Sequence, residues 1–185
     1  MAPSEAPRPP RPVTAAYLER AALHYLERYG ASTEMLRRVL QRRVAARCRL
    51  REEDPADYAE MIEAVVARAV GAGLIDDTVF ATAKVRSLRR RGGSARAIQA
   101  KLAAKGVERE VVAAALAAEE AERDPGAEEN GEEDAARAYA RRRRLGPFRR
   151  PDARAAARER DIGAMARAGF ALALARRVID AEPDG

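Results

Sequence analysis

The chain has 185 residues, a formal net charge of +6, 35% charged and only 4% aromatic residues, and no tryptophan. A core built on large rings is therefore excluded, and thin layers of Ala, Leu, Val and Ile are favoured. No stretch reaches the roughly 18 uninterrupted apolar residues of a membrane span, and the single cysteine, Cys48, leaves no internal disulfide and fits a reducing compartment.

Residues 1–13 carry Pro3, Pro7, Pro9, Pro10 and Pro12 in place of the apolar segment of a secretory signal, so a disordered Pro/Arg-rich tail is expected and the protein reads as cytoplasmic. The first helix follows, with Tyr17, Leu18, Ala21, Ala22, Tyr25, Leu26 and Tyr29 along one stripe, Leu23 bordering it and Gly30 as a stop. Ser32 is an N-cap for a second helix with Leu36, Val39, Leu40 and Val44 on its apolar side. Asp54-Pro55 opens a third, which carries Tyr58, Met61, Ile62, Val65, Val66, Ala69 and Val70 and ends at Gly71 and Gly73.

Gly73-Leu74-Ile75-Asp76-Asp77-Thr78-Val79-Phe80-Ala81 ends that helix and starts the next with an aspartate. Phe80, one turn inside, is expected to pack between the first and second helical units. The new helix runs to about Arg91 and stops at Gly92-Gly93; Ser94 starts another that Gly106 ends, and a further helix spans Glu108 to Glu120. Asp124 to Gly131 has breakers and acids without apolar periodicity and reads as a connector. Helices near Glu133–Leu145, Pro151–Ala168 and Ala171–Ala181 complete the chain, and no segment alternates with period two for long enough to form a strand.

The pattern repeats. Ser32, Leu36 and Leu40 stand in the relation of Ser94, Ile98 and Leu102; Met165, Gly169-Phe170, Leu174 and Ile179 mirror Leu102, Gly106-Val107, Val111 and Leu116. The expected fold is all-α, an elongated tandem array of three-helix repeats: repeat one over 14–75, repeat two over 76–120, an acidic linker over 121–132 and repeat three over 133–182.

Charge follows the repeats. Met35 to Arg51 holds seven arginines and no acid, Thr78 to Val107 eight basic residues and no acid, and Ala135 to Pro151 seven arginines and no acid. Carboxylates gather in Glu52–Asp57 and Glu119–Asp134, so the net charge understates the local fields. The candidate binding residues are Arg86, Arg89, Arg90, Arg91, Arg96, Lys101 and Lys105 in the second repeat, with Arg141, Arg142, Arg143, Arg144, Arg149 and Arg150 in the third. Arg86 and Arg89 are expected to point away from Phe80, into solvent. Few aromatics interrupt these stretches, which points to a phosphate backbone or an acidic protein surface rather than to base stacking.

Catalysis finds little support. His24, the only histidine, falls on the exposed side of its helix with no nucleophile context, and Cys48 reads as a small helical residue. Asp76-Asp77 is explained by helix capping, with a divalent cation as the alternative. Gly92-Gly93-Ser94 lacks the spacing of a nucleotide loop, although a nucleic-acid phosphate could rest on the helix start that follows. The expectation is a binding protein with no catalytic residue, metal or cofactor.

The run Gly-Leu-Ile-Asp-Asp-x-x-Phe-Ala at 73–81, with Gly93-Ser94 through Gly106-Val107 and Arg167-Ala168-Gly169-Phe170 in order behind it, resembles the RecX family, small bacterial regulators of the RecA recombinase built from tandem three-helix repeats. The resemblance covers roughly residues 15 to 180. It implies that the chain binds the RecA filament on single-stranded DNA, lies in the filament groove as a monomer, and restrains filament growth, ATP turnover and strand exchange in recombination and DNA repair. The alternative is a stand-alone helical nucleic-acid-binding protein that contacts DNA directly.

Overall fold

Helix boundaries in this protein are set by side chains that satisfy the amides and carbonyls a helix leaves open at its ends. The computed structural model describes residues 11–123 and 130–182, all of whose regular secondary structure is helical. The helices are α1 (Ala15–Leu26), α2 (Thr33–Arg49), α3 (Ala59–Gly71), α4 (Asp77–Arg90), α5 (Ala95–Ala103), α6 (Arg109–Ala121), α7 (Gly131–Arg143), α8 (Pro151–Arg167) and α9 (Leu172–Asp180). Short 3-10 turns at Pro55–Tyr58 and Gly146–Phe148 lead into α3 and α8. Residues 1–10 of the proposed tail and 124–129 of the proposed linker lie outside the described residues.

Thr14, Ser32 and Ser94 accept backbone N–H bonds from Tyr17, Met35 and Ala97, each three residues on, and Asn130 does the same for Glu133. At the other ends one motif recurs. The amides of Leu74, Gly93, Val107 and Phe170 reach back to the carbonyls of Ala69, Leu88, Leu102 and Met165, and the residue before each is a glycine at positive φ. The same turn closes α2 and α7 with Glu52 (φ 57) and Arg144 (φ 54) in the glycine's place. The repeat read from sequence is thus a repeated set of caps.

The chain divides into two compact units, Met1–Phe80 and Ala81–Gly185, the division falling within α4. In the first, Leu18, Leu36, Leu40, Val44 and Cys48 are fully buried with Ile62, Val65 and Val66 around them. Arg37 in α2 grips Glu63 in α3 through two hydrogen bonds of 2.6 and 3.0 Å. Burial pushes the Cys48 thiol up, which suits a small core residue and not a nucleophile. Three details differ from the sequence reading. Val13, assigned to the tail, is buried in this core. Tyr29 and Val70, assigned to apolar stripes, are 57% and 43% exposed, because α1 ends at Leu26 and Val70 lies in the last turn of α3.

The aspartate pair divides its work. Asp76 Oδ1 accepts from the amides of Thr78 and Val79 at the start of α4, while Asp77 Oδ1 accepts from Thr33 N, 2.8 Å away, at the start of α2. Both carboxylates are caps, as expected, but for two different helices.

The second compact unit contains the second repeat from Ala81 onward together with the third. Val85, Ile98, Leu102 and Val112 are buried in the former; Met165, Phe170, Ala175 and Val178 pack with the alanine face of α7, Ala135, Ala136 and Ala140, in the latter. The join is direct. Ser94 Oγ donates to the Ala168 carbonyl at 2.7 Å while capping α5. A Cβ on Gly169 (φ +97) would sit 2.5 Å from that hydroxyl, and one on Gly92 (φ +74) 2.5 Å from the Tyr139 amide nitrogen in α7. Around the proposed linker, α7 begins at Gly131, whose amide donates to Glu120 of α6 at 2.9 Å.

Phe80 is 7% exposed, so truncation to alanine is expected to cost about 3–5 kcal/mol in urea unfolding. Gly169→Ala, which combines left-handed strain with a clash on a hydroxyl already held by two hydrogen bonds, is expected to destabilise by ~2–4 kcal/mol. Arg144→Gly relieves a left-handed side chain and is expected to stabilise by up to about 1 kcal/mol. Melts that rank these two variants the other way would refute this account of the helix ends.

Candidate anion-binding surface

Thirteen basic residues singled out in the second and third repeats look alike in sequence, but the fold gives them different surroundings. Two are structural. Arg89 is turned inward with its side chain only 9% exposed; it pairs with Glu119 of α6 at 3.5 Å and with Glu132 of α7, and it donates to the Gly93 carbonyl at 3.3 Å. The expectation that Arg89 faces solvent beside Arg86 is therefore corrected. The acids that enclose it come from α6 and α7, far along the chain.

Arg149 is the second. Its guanidinium makes a two-pronged contact with buried Asp161, Nε to Oδ2 at 3.0 Å and Nη2 to Oδ1 at 2.8 Å, and Gly146 N also donates to Oδ2 at 3.0 Å. Arg154 adds bonds to the carbonyls of Pro147 and Arg149 at 2.8 and 3.0 Å, so the whole turn into α8 is tied down. Burial pushes the Asp161 carboxyl up, but the hydrogen bonds from Arg149 and Gly146 outweigh it and hold the acid below the ordinary carboxylate range. Arg149 is raised by the same contact.

Others are partly neutralised at the surface. Arg86 is exposed and pairs with Glu122 at the C-cap of α6, and Arg150 pairs loosely with Asp152 at 3.3 Å. Arg141 lies over the Phe148 ring, 5.1 Å from its centroid. Lys105 is half-buried, and Arg143 and Arg144 are exposed at the end of α7. Arg90 is exposed on the rim of a cleft of about 380 Å³ whose walls also carry Glu119, Glu122 and Asp134. Charge there is mixed.

A second cleft, also about 380 Å³, differs. Arg91 just past α4, Lys101 from α5 and Arg142 from α7 line it, together with Leu88, Gly92, Gly93, Ser94, Ala97, Tyr139 and Ala168, and no carboxylate among the described residues does. All three cations are exposed. Arg142 is steadied over the Tyr139 ring at 5.8 Å, and that ring in turn packs on Phe170 at 5.7 Å. Tyr139 was not singled out from sequence; no local signal marks it, since its place depends on α7 meeting the Gly92 turn. A third, more apolar cleft between α5 and α6 has Arg96 and Arg109 on its rim, and Arg109 was likewise missed.

The start of α5 does not offer the phosphate seat that Gly92-Gly93-Ser94 hinted at. Ser94 Oγ takes the Ala97 amide, and Glu132 takes the Ala95 amide at 2.9 Å, so a carboxylate of the protein already fills that position. His24 is exposed, and no group of His, Cys, Asp and Glu among the described residues could hold a metal ion.

Comparison with known proteins reaches nearly the full length of the chain. It is 46% identical over 178 residues to a regulatory protein RecX of Myxococcus xanthus, covering 96% of this chain and 91% of that one. The chain belongs to the RecX family of regulatory proteins. A RecX protein of Agrobacterium fabrum is 31% identical over 164 residues, covering 89% of this chain and 82% of its own, and one of Mycolicibacterium vanbaalenii is 36% identical over 156 residues, covering 80% and 83%. The family model described as the second three-helix domain of RecX matches residues 76–116, which are Asp76 and helices α4 to most of α6. No solved structure matches the chain. The RecX three-helix domain is thus the unit that supplies Arg91 and Lys101, while Arg142 comes from the helices that follow.

The Asp161 contact predicts a definite pH dependence. Because the folded-state pKa is depressed, the stabilisation is complete above the unfolded carboxylate value of about 3.9 and disappears as pH falls through the lower folded value. Asp161→Asn is expected to lose roughly 3 kcal/mol near neutral pH, the low end for a broken buried pair because Arg149 keeps some contact with solvent. Urea unfolding across pH should show the gap between parent and variant closing in acid; a constant gap would remove the ionic contribution.

Proposed function

We propose that this protein regulates the RecA recombinase by binding the RecA filament on single-stranded DNA, and that it restrains filament growth, ATP turnover and strand exchange without performing chemistry itself. The observation that carries the reading is the near-full-length similarity to relatives named as RecX regulatory proteins. The physical features agree with it. Exposed cations from several helices make a surface suited to acidic protein or phosphate, and long-range attraction of that kind speeds encounter with a highly charged filament. Two compact units on one chain allow modest contacts to add through effective concentration.

Within this reading the contact surface consists of Arg86, Arg90, Arg91, Arg96, Lys101, Lys105 and Arg141 to Arg144, with Arg150 at its margin. Arg89 and Arg149 act by holding the fold. The protein works in the cytoplasm as a monomer; no described helix is long and apolar enough to cross a membrane.

RecA's DNA-dependent ATPase provides the test. Substoichiometric protein is expected to slow it, and an unchanged rate at one copy per RecA would overturn the proposal. Arg90→Ala should weaken the effect while leaving the melting temperature nearly unchanged, as exposed helical substitutions usually move stability by about 0.5 kcal/mol or less. Arg89→Ala should instead lower the melting temperature, since it removes the cation facing Glu119 and leaves Glu132, among the described residues, with only the Ala95 amide, at a cost of about 3 kcal/mol.

A further inference from the structure

We propose that the cleft lined by Arg91, Lys101 and Arg142 is a binding site for phosphate esters, built across the junction of the second and third repeats. The three cations come from the end of one helix and from two others, and they reach one cavity only because α4, α5 and α7 meet there. Its volume of about 380 Å³ falls in the range of small-ligand sites. This deepens the regulatory reading, on which its biological purpose rests, by naming the ligand chemistry; binding itself needs no recombinase.

Charge balance is the first argument. The neighbouring cleft of equal size pairs Arg86, Arg89 and Arg123 with Glu122, Glu119 and Asp134, whereas among the described residues no carboxylate lines this one and none of its three cations has an ion-pair partner. Like charges brought together in this way repel, and an anion seated among them reverses the sign of the interaction.

Preorganisation is the second. The Gly92 turn lies against the backbone of Tyr139 with no room for a Cβ, Ser94 Oγ is bonded to the Ala168 carbonyl, and the Arg89–Glu132 pair ties α4 to α7. The walls therefore need no ordering when a ligand arrives. Arg142 is steadied over Tyr139, and Leu88 and Tyr139 offer an apolar flank for a sugar or base.

The third argument is geometric. A phosphate group concentrates its charge and several acceptor oxygens on one centre, which suits three donors converging on one small cavity, and guanidinium groups match it with paired N–H bonds. Carboxylates of an acidic peptide carry single charges spread along a chain. The neighbouring helix start is closed by Glu132, so the site works through its side-chain cations.

Fluorescence anisotropy of a labelled oligothymidylate with the full chain, in the absence of RecA, tests the proposal. Binding is expected to weaken with salt, and Arg91→Ala, Lys101→Ala and Arg142→Ala together should lower the log–log salt slope by about 2, a change worth about 20-fold in affinity between 50 and 200 mM salt. Arg20→Ala with Arg28→Ala, two exposed arginines of the first compact unit, should change it far less. Displacement of the strand by millimolar pyrophosphate or ADP, with a rise in the parent's melting temperature, assigns the site to free phosphate esters; strand binding that resists these competitors but depends on the three cations assigns it to the nucleic-acid backbone. Should the triple variant melt early, Lys101→Gln alone carries the test, with a several-fold loss expected. Unchanged oligonucleotide binding in folded variants, or displacement by polyglutamate at least as effective as by pyrophosphate, would overturn the proposal. The ATPase assay on the same variants separates this outcome from failure of the RecA reading, because a protein with no phosphate site can still slow RecA through protein contacts.

Discussion

A single carboxylate in the first turn of α7 governs much of the second compact unit. Glu132 takes the open amide at the start of α5 and the inward-turned guanidinium of Arg89 from α4, so three helices from two repeats converge on one side chain. Each group satisfies a need of the others: the helix start wants negative charge, and a largely buried arginine must have an acid nearby. Ser94 works beside it, closing α5 locally and reaching Ala168 of the third repeat. With side chains absent at Gly92 and Gly169, the backbones come close enough for these bonds to form.

That joint also sorts the arginines. A basic helix in isolation would present all its cations to water as equals. Once α6 and α7 bring Glu119, Glu122 and Glu132 against α4, Arg89 becomes an internal strut and Arg86 a surface pair, while Arg91, one residue past α4, is left beside Lys101 and Arg142 with no acid among the described residues lining their cleft. The same division recurs around the end of α7, where Arg142 and Arg143 in its last turn remain exposed and Arg149 beyond it is held by Asp161. Fold and function therefore draw on one residue type. A mutation in the basic stretches has to be interpreted through the acid that faces it.

Much of the architecture was legible in sequence because its cues are local. A serine or aspartate before an apolar run and a glycine after it fix where a helix starts and stops within a few residues, and the spacing of Leu36, Leu40, Ile98 and Leu102 predicted positions that are fully buried. The exposed His24 and the capping role of Asp76 followed from the same reasoning. Errors lay at helix ends, where Val13 joined the core and Tyr29 left it.

The sequence by itself determined an all-helical chain of related units with segregated charge, since helix caps and periodic apolar positions act over a few residues. Only the tertiary structure decided which cations remain available. Periodicity could place Arg86 and Arg89 on one side of α4, but it could not supply Glu119 and Glu132, which touch Arg89 in space yet lie some thirty to forty residues further along the chain. Asp161 illustrates the same limit: nothing near it in sequence marks it as the buried partner of Arg149. Electrostatic partners are chosen by the three-dimensional approach of distant segments, whereas helix ends are chosen by neighbours.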